Sequence, residues 1–386
     1  MDGTLLMTDY SSTQWIWQKS DWPEFHWQEE SVLPLLRKVR FSLGILLGKA
    51  SSTQGDDEDA SALNTLLENI ITSSAIEGER LNAQSVRSSL AKRLNLKGTD
   101  DAAYPTSERT EGLAEMMMDA ISNLDTPLGL TRLYQWHHWL FPATEFSLNN
   151  VQSGQLRGEE PMQVVSGRID RPTVHFEAPA RSLLEPELSH FFNWFNDSRN
   201  DPKCDPLLRA AISHFWFVTL HPFDDGNGRL TRAITDLALA QADEQSIRLY
   251  AMSGVILKNR KAYYHILEKS QRGDMDITQW LLWFLQMLEE TIQVSLTKID
   301  RTLQKTRFWQ QFHGAGLSDE QVKVLNRLLD GGQNGFESGI SASQYQKVAK
   351  VSKATATRHL SDLLNKGCIE KLPGGGRSTR YQVVRK

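Results

Sequence analysis

The twelve residues 221–232, HPFDDGNGRLTR, constrain the fold most, because they join two helical patterns through one short turn. Apolar residues recur at helical spacing over 206–220 and again over 229–243. Glycine is favoured where a backbone turns sharply or approaches a neighbour closely. The sequence therefore predicts a helix–loop–helix whose second helix begins near Gly228.

The loop also concentrates groups that bind ions. Backbone N–H groups at the start of the second helix, with Gly226 and Gly228 permitting close approach, form an anion site. Arg229 and Arg232 are three positions apart and project from one helix face. A guanidinium group binds phosphate through two parallel hydrogen bonds. Asp225 offers the hard oxygen ligand that Mg²⁺ prefers beside phosphates.

His221 supplies a candidate base, because imidazole titrates near neutrality and can accept a proton from an incoming hydroxyl. Phe223 is expected to anchor the loop in the core. Two other phosphate motifs are excluded. The segment 44–50, GILLGKA, lacks the spacing and hydroxyl of a Walker loop, and GNG at 226–228 lacks the third glycine of a dinucleotide fingerprint.

Residues 221–232 resemble the signature of the Fic (filamentation-induced-by-cAMP) family, HPFx[DE]GNGRxxR. The resemblance covers roughly residues 60–290 and implies a mainly α fold, a Fic-type helical bundle with a β-hairpin flap. The fixed positions that match are His221, Pro222, Phe223, Asp225, Gly226, Asn227, Gly228, Arg229 and Arg232.

The resemblance implies a protein adenylyltransferase, which transfers AMP from ATP to a Ser, Thr or Tyr hydroxyl of a target protein. His221 would be the general base, and Asp225 would hold Mg²⁺ against the α- and β-phosphates. Family members differ in the group they move, so phosphate or another nucleotide stays open. The nucleotide-binding residues would be Gly226, Asn227, Gly228, Arg229 and Arg232.

A second motif, Ser73-Ser-Ala-Ile-Glu77-Gly78, resembles the inhibitory motif [ST]xxxE[GN] of the same family. It lies in a helix predicted over 61–80, where Ser73 and Glu77 share a face. In the subclass with an N-terminal inhibitory helix, Glu77 would form a bidentate pair with Arg232, which otherwise meets the γ-phosphate. Such a pair would hold ATP in an unproductive pose.

Residues 162–179, MQVVSGRIDRPTVHFEAP, break the helical pattern. MQVV and TVHF are typical of two strands, and the polar segment between them predicts a β-hairpin. An extended segment of the target protein could add to its edge as a further strand. The residues expected at that edge are Met162, Gln163, Val164 and Val165.

Four other residues are assigned by their position beside these motifs. Tyr263 and Tyr264 lie in a helix predicted over 258–271, which borders the nucleotide pocket in the family. One of them would pack on adenine, with an ordinary core or surface aromatic as the alternative. Glu79 and Arg80 follow the inhibitory motif and are expected to be solvated.

The last part of the chain is basic, whereas the remainder is acidic. Residues 341–386 hold ten Lys or Arg against two acids, a charge of +8, so a chain of net charge −4 leaves −12 for the first 340 residues. Two helices, the second over 354–365, and two strands around a glycine-rich tip resemble a winged helix-turn-helix. Either DNA or protein could be its partner. The candidate DNA contacts are Thr355, Thr357, Arg358, Arg377 and Arg380.

Three domains are expected: a tryptophan-rich helical segment at 1–55, the catalytic body at 60–305 and the winged helix at 315–386. The tryptophans of the first segment would pack as core or as an oligomer contact, so a homodimer is another candidate assembly. Two distant cysteines, no basic leader and no long apolar run predict a cytoplasmic protein without membrane contact.

Three functions compete. The leading hypothesis is an autoinhibited, Mg²⁺-dependent protein adenylyltransferase. The second is a DNA-binding transcriptional regulator whose Fic body senses a nucleotide without modifying targets. The third reverses the reaction and removes AMP from a modified protein, with Glu77 orienting the attacking water.

Overall fold

The computed structural model divides the chain into two compact units, residues 1–293 and 294–386. Side chains at 56–60, 168 and 171–172 are not described. The described residues are 14–51, 56–96, 104–142, 151–168, 171–242, 249–331, 336, 338–373 and 379–384.

The first unit is mainly helical, and the helices predicted over 206–220 and 229–243 are confirmed to within two residues at each end. A last helix, α11 (Thr278–Gln311), contains the boundary between the units. The preceding helices are α1 Glu29–Ala50, α2 Asp56–Ile76, α3 Ala83–Arg93, α4 Glu108–Ser122, α5 Leu130–Leu140, α6 Leu184–Asp197, α7 Pro206–Leu220, α8 Asn227–Ala242, α9 Met252–Lys258 and α10 Arg260–Gln271.

Helix α7 forms the centre of this unit, and every residue after Pro206 in it is buried. A helix buried on all sides belongs inside a core, and its polar residues, such as His214, form hydrogen bonds there. Asp205 caps it by accepting hydrogen bonds from the backbone N–H groups of Leu207 and Leu208, at 2.9 and 3.4 Å. A cap of this kind stabilises a helix by about 1 kcal/mol. Helices α7 and α8 pack side by side and fix both ends of the loop between them, residues 221–226.

The predicted inhibitory helix over 61–80 is too long, because α2 ends at Ile76. Gly78 has φ +83°, which favours glycine. The N–H of Gly78 donates to Ala75 O at 3.0 Å and that of Glu79 to Ser74 O at 3.0 Å, the Schellman arrangement that closes a helix. Gly78 therefore ends the helix, and Glu77 is the first residue after its last turn.

The predicted hairpin is present as two antiparallel strands, β1 (Gln163–Arg168) and β2 (Arg171–Glu177). The strands run closer to the turn than predicted, and Met162 precedes β1. Two of the N-terminal tryptophans, Trp15 and Trp17, pack against this hairpin. Trp15 is buried, and its ring lies edge-on to Phe176 with centroids 5.4 Å apart. The indole N–H of Trp17 donates to Glu177 O at 2.7 Å.

The second unit has its own hydrophobic core, which includes Val324, Ile340, Tyr345 and Leu360. Its strands form one antiparallel sheet in the order β3-β5-β4, and the sequence did not predict β3. Its elements in chain order are α12 Asp319–Asp330, β3 Ile340–Ser341, α13 Ala342–Ala349, α14 Lys353–Asn365, β4 Ile369–Lys371 and β5 Arg380–Val383.

Neither cysteine forms a disulfide: Cys204 and Cys368 are both free thiols. Among the described helices, none combines the length and the apolar character needed to cross a membrane.

Candidate active site

His221 stands at the end of α7 in the left-handed region, with φ 48° and ψ 57°. Its Nδ1 lies 3.2 Å from the carbonyl oxygen of Val218. A carbonyl only accepts, so Nδ1 carries the hydrogen and Nε2 of the neutral ring is an acceptor. Burial lowers the pKa of His221, which favours this neutral form. The ring lines the cavity described below.

Buried side chains fix the loop after His221. Phe223 is fully buried, as expected, and stacks on the ring of His137 with centroids 4.2 Å apart. The side chain of Asn227 accepts from Phe223 N at 2.9 Å and donates to Phe223 O at 2.7 Å. His137 accepts from the N–H of Gly154 at Nδ1, so its Nε2 donates to Asp225 O at 3.2 Å. Burial lowers the pKa of His137 to about 4 and keeps it neutral.

Two glycines of the loop are required for different reasons. Gly226 has φ +83°, and a Cβ there would lie 2.7 Å from a side-chain atom of Leu140. A Cβ on Gly228 would lie only 2.1 Å from Oε1 of Glu77. Gly228 is in the first turn of α8, where free backbone N–H groups favour an anion. The Glu77 carboxylate therefore lies at the helix start, in the place of an anionic ligand.

Arg232 is held by Ser73 and Glu77 of the 73–78 motif. Its Nε donates to Ser73 Oγ at 2.8 Å, and its Nη2 donates to Ser73 O at 2.9 Å and to Glu77 Oε1 at 2.8 Å. The Glu77 contact uses one oxygen rather than the expected bidentate geometry. Burial would raise the pKa of Glu77, but the charge and hydrogen bond of Arg232 hold it below its usual value. Glu77 is therefore ionised when it contacts Arg232.

The prediction that Glu79 is solvated is wrong. Its carboxylate forms an ion pair with Arg229 and accepts from Nε and Nη2 of Arg109, at 3.0 and 2.8 Å. Arg109 and Arg229 also lie over the Phe141 ring, 5.0 and 5.1 Å from its centroid. The Schellman turn explains the difference, because it redirects the chain and points Glu79 at α8. Arg80 is exposed, as predicted.

Both signature arginines keep donor capacity. Arg229 Nε and Arg232 Nη1 are buried and have no hydrogen-bond partner among the described residues. A buried donor without an acceptor is unfavourable, so these groups indicate a place for a further anionic group. The side chain of Asp225 is 50% exposed and lies 3.3 Å from Arg229 Nη2.

A cavity of about 650 Å³ lies between the hairpin, the 221–228 loop and α10. Val165 and Ser166 line it from β1, and His221 lines it from the end of α7. Its end near Glu77 is lined by Tyr264, whose hydroxyl lies 3.4 Å from Glu77 Oε2. The cavity therefore brings together residues of β1, the His221 ring and the start of α8.

The other predicted residues are placed as follows. Tyr263 is 1% exposed, and its hydroxyl lies 2.9 Å from Nε2 of His214, which leaves its ring in the core. Met162 and Val164 pack on the buried cluster of Trp15, Phe176 and Ala178, whereas Val165 is 50% exposed. In the second unit, Thr357 and Arg358 are exposed on α14, Thr355 is half-buried and Arg380 donates to Gly339 O at 2.8 Å. Arg377 lies outside the described residues.

The helix–loop–helix carries His221 at the end of α7 and two buried arginines in the first turns of α8. Residues 127–239 match the Fic/DOC family, and the chain therefore carries a Fic/DOC domain. Residues 15–96 match a "Domain of unknown function (DUF4172)". Glu77 and Glu79 belong to this second region, whereas Asp225, the other carboxylate beside Arg229, lies within the matched Fic/DOC segment.

Two curated relatives and one solved structure that are similar to this chain all carry Fic in their names. "Protein adenylyltransferase fic-1" of Caenorhabditis briggsae is 27% identical over 52% of this chain and 36% of its own length. The Caenorhabditis elegans protein of the same name is 30% identical over 29% of this chain and 21% of its own length. The chain thus spans well under half of these relatives. A Fic family protein from Desulfovibrio desulfuricans shares the fold, with a TM-score of 0.55 and 17% identity over 94% of this chain and 98% of that one.

Proposed function

We propose that the protein is an adenylyltransferase that moves AMP from ATP to a Ser, Thr or Tyr hydroxyl of a target protein. One observation carries the proposal: a neutral imidazole faces the same cavity as a helix start flanked by two buried arginines. The names of the relatives, protein adenylyltransferases, support the same reaction. Neither feature favours a nucleotide sensor without chemistry, which needs no base.

In this reaction the target hydroxyl transfers its proton to Nε2 of His221 while its oxygen attacks the α-phosphorus of ATP. The bond from that phosphorus to the bridging oxygen of the β-phosphate breaks, and pyrophosphate leaves. Such a displacement depends mainly on positioning and on neutralising negative charge. The neutral His221 ring, with its hydrogen fixed on Nδ1, is the form that accepts this proton.

The phosphates would bind at the start of α8. Backbone N–H groups around Gly226, Asn227 and Gly228 would form the cradle, while the Asn227 side chain holds the loop. The unpartnered nitrogens of Arg229 and Arg232 would donate to phosphate oxygens. Anions at helix starts are favoured by both the free N–H groups and the helix dipole.

Mg²⁺ fits this donor set. Within the described residues no three His, Cys, Asp or Glu side chains cluster as a metal site. Mg²⁺ at phosphates needs only one or two carboxylates, with water and phosphate oxygens as the remaining ligands. Asp225, half-exposed at the cavity, would hold the ion, which would neutralise charge on the phosphates.

The resting protein would be autoinhibited. Glu77 lies over Gly228 and contacts Arg232, so a γ-phosphate and this carboxylate compete for one guanidinium. Ser73 binds the same guanidinium and Gly78 ends the helix beside it, which supports the role of the whole motif. Glu79 on Arg229 adds a second contact of the same kind.

The target would dock on the free edge of β1, a sequence-tolerant grip through backbone hydrogen bonds. Of the four residues assigned to this edge, Val164 and Val165 line the cavity, and Val165 is half exposed. Adenine would pack on Tyr264 rather than on the buried Tyr263.

The test uses the Glu77→Gly variant with Mg²⁺ and ATP labelled at either the α- or the γ-phosphate. We expect α-label and a mass increase of one adenylyl group on protein, and no γ-label. The matched control is the Glu77→Gly/His221→Ala double variant, which should bind ATP without transfer. A folded, ATP-binding Glu77→Gly protein that labels neither itself nor proteins of a lysate contradicts the proposal. Release of AMP from a modified protein by the wild type favours the reverse reaction.

The second unit would be a winged helix. The element order α12-β3-α13-α14-β4-β5 and the β3-β5-β4 sheet support this assignment. Thr355, Thr357 and Arg358 on α14 and Arg380 on β5 would contact DNA, as would Arg377, which lies outside the described residues. DNA binding that weakens steeply with salt tests this, and binding unchanged in Arg358→Ala contradicts it. The cytoplasmic location, the homodimer and the boundaries 1–55, 60–305 and 315–386 remain predictions.

A further inference from the structure

Arg157 has no role in the patterns discussed so far. It lies in the segment GQLR, residues 154–157, shortly before the hairpin. The residue is only 2% exposed. Its side chain donates to carbonyl oxygens and forms no ion pair with a described carboxylate. A buried guanidinium without a direct ion pair is costly even where carboxylates such as Asp224 lie nearby, which calls for an explanation of its place.

Three hydrogen bonds connect Arg157 to the turn at residues 221–222 and to the segment that follows the hairpin. Its backbone N–H donates to Pro222 O at 3.0 Å, and its Nε donates to His221 O at 2.9 Å. Its Nη2 donates to the carbonyl of Pro179, two residues after β2. One residue thus holds both carbonyls of the turn and ties them to the end of the flap.

The turn needs such support. A residue with a side chain is unfavourable in the left-handed region that His221 occupies. Strained backbone of this kind persists only where the surroundings fix it. The direction of the imidazole follows from this backbone, since Nδ1 must reach Val218 O for Nε2 to face the cavity.

We propose that Arg157 is a positioning residue for His221: it holds the left-handed turn that points Nε2 into the cavity. This assignment rests on the proposed function, because it gives Arg157 a part in the same reaction. It differs from the signature, which neither contains Arg157 nor predicts it.

The charge of Arg157 also favours proton acceptance by His221, as its hydrogen bonds to the turn do. Burial and then the nearby guanidinium of Arg157 lower the pKa of His221. The Val218 carbonyl, Glu77 and Asp225 act against them. Arg157 therefore helps keep the imidazole free to accept a proton.

The activity test uses the Glu77→Gly background, in which Glu77 no longer affects His221. Arg157→Met removes the charge and the donors, and should lower kcat on the order of 10²-fold with the KM for ATP nearly unchanged. The acid limb of its pH–rate profile should move to higher pH. Arg157→Lys keeps the charge, so the acid limb of its pH–rate profile should stay in place. Its kcat should fall less than that of Arg157→Met. The matched control, Arg181→Met, removes a neighbouring guanidinium that pairs with Glu185 and should leave both unchanged.

A second measurement does not depend on transfer. The His221 resonance of histidine-labelled protein, assigned by its loss in His221→Ala, is titrated by NMR in the wild type and both Arg157 variants. The pKa should rise in Arg157→Met and stay in Arg157→Lys. If Glu77→Gly transfers no AMP but this shift appears, the proposed function fails and the link between Arg157 and His221 stands.

Other results overturn the inference. If transfer occurs and Arg157→Met changes neither kcat nor the His221 titration, Arg157 does not position the base. A loss of kcat with an unshifted titration and a higher KM for ATP would assign Arg157 to the general fold. Should Arg157→Met fail to fold, Arg157→Lys decides alone: an unchanged kcat contradicts the inference, and a lowered kcat with an unshifted limb supports it.

Discussion

At one end of the candidate site, His221 is bonded at Nδ1 only, and no hydrogen bond from a described residue reaches its Nε2. At the other end, Arg229 and Arg232 each contact a carboxylate, Glu79 and Glu77 respectively. The histidine end keeps an acceptor nitrogen without a partner among the described residues, whereas acids from the residues that follow α2 contact the arginine end.

This difference indicates which step the contacts control. The groups that fix His221 come from its own turn and from Arg157. The groups that fill the arginine end come from a segment about 150 positions earlier in the chain. Carboxylates and phosphates compete for the same guanidinium donors. Regulation should therefore act on how the nucleotide binds and leave the base unchanged.

The largest expected effect separates the two ends. In the Glu77→Gly background, His221→Gln should lower kcat on the order of 10²- to 10⁴-fold, because an amide is too weak a base to accept the proton. The KM for ATP should stay nearly unchanged, since the phosphates bind at the other end. Initial rates of α-label transfer at several ATP concentrations give both quantities. A higher KM with an unchanged kcat would place His221 in nucleotide binding.

The next effect concerns the charge on Glu77. Glu77→Gln keeps the shape and removes the charge, so ATP competes with a weaker partner for Arg232. A hydrogen bond to a charged group is worth about 1.5–3 kcal/mol, and about 1.4 kcal/mol is a factor of ten, so transfer should rise about 10- to 100-fold. Glu115→Gln, which removes an acid paired with Arg93, is the control and should have no effect. If transfer rises in both variants or in neither, Glu77 is not the inhibitory group.

The histidine end could be predicted from the sequence because its motif is short and local, whereas the contact of Glu77 with Arg232, 155 positions later, was expected only from the resemblance to the family's inhibitory motif. Within 221–232 the spacing alone sets which groups meet. Gly78 also carried a usable signal, since a glycine after a helical run marks a helix end, although the prediction continued the helix to residue 80. An earlier end would have placed Glu79 beside Glu77 at the helix terminus.

Arg157 and the partners of Glu79 could not be predicted in this way. The carbonyl that Arg157 binds lies 64 positions later, and Arg109 lies 30 positions after Glu79. No periodic pattern links residues so far apart, because they meet only when the helices pack. A charged residue near a helix end is ordinarily solvated, so the residue type itself favoured the wrong prediction for Glu79.

A smaller effect tests whether Glu79 belongs to the inhibited end. In the Glu77→Gly background, Glu79→Gln frees Arg229 for phosphate. A partly exposed ion pair is worth about 0.2–1 kcal/mol, so the KM for ATP should fall about two- to fivefold at most. Glu111→Gln, which removes an acid paired with Arg93, is the control. A higher KM would mean that Glu79 orients Arg229 for the phosphates and is no part of the inhibition.

The smallest effect concerns stability beside the inhibited end. Asp236 lies one turn after Arg232 and accepts from Nδ2 of Asn69 on α2 at 2.8 Å. Burial raises the pKa of Asp236 to about 7, against about 3.9 in an unfolded chain. Between these values the folded state keeps a proton that the unfolded state has released, so stability falls as pH rises from about 4 to 7. Asp236→Asn lacks this loss, and its Tm relative to the wild type should rise from about pH 5 to pH 7.5 and then level off. A difference independent of pH would mean that Asp236 is ionised throughout and that α2 is held there by charge.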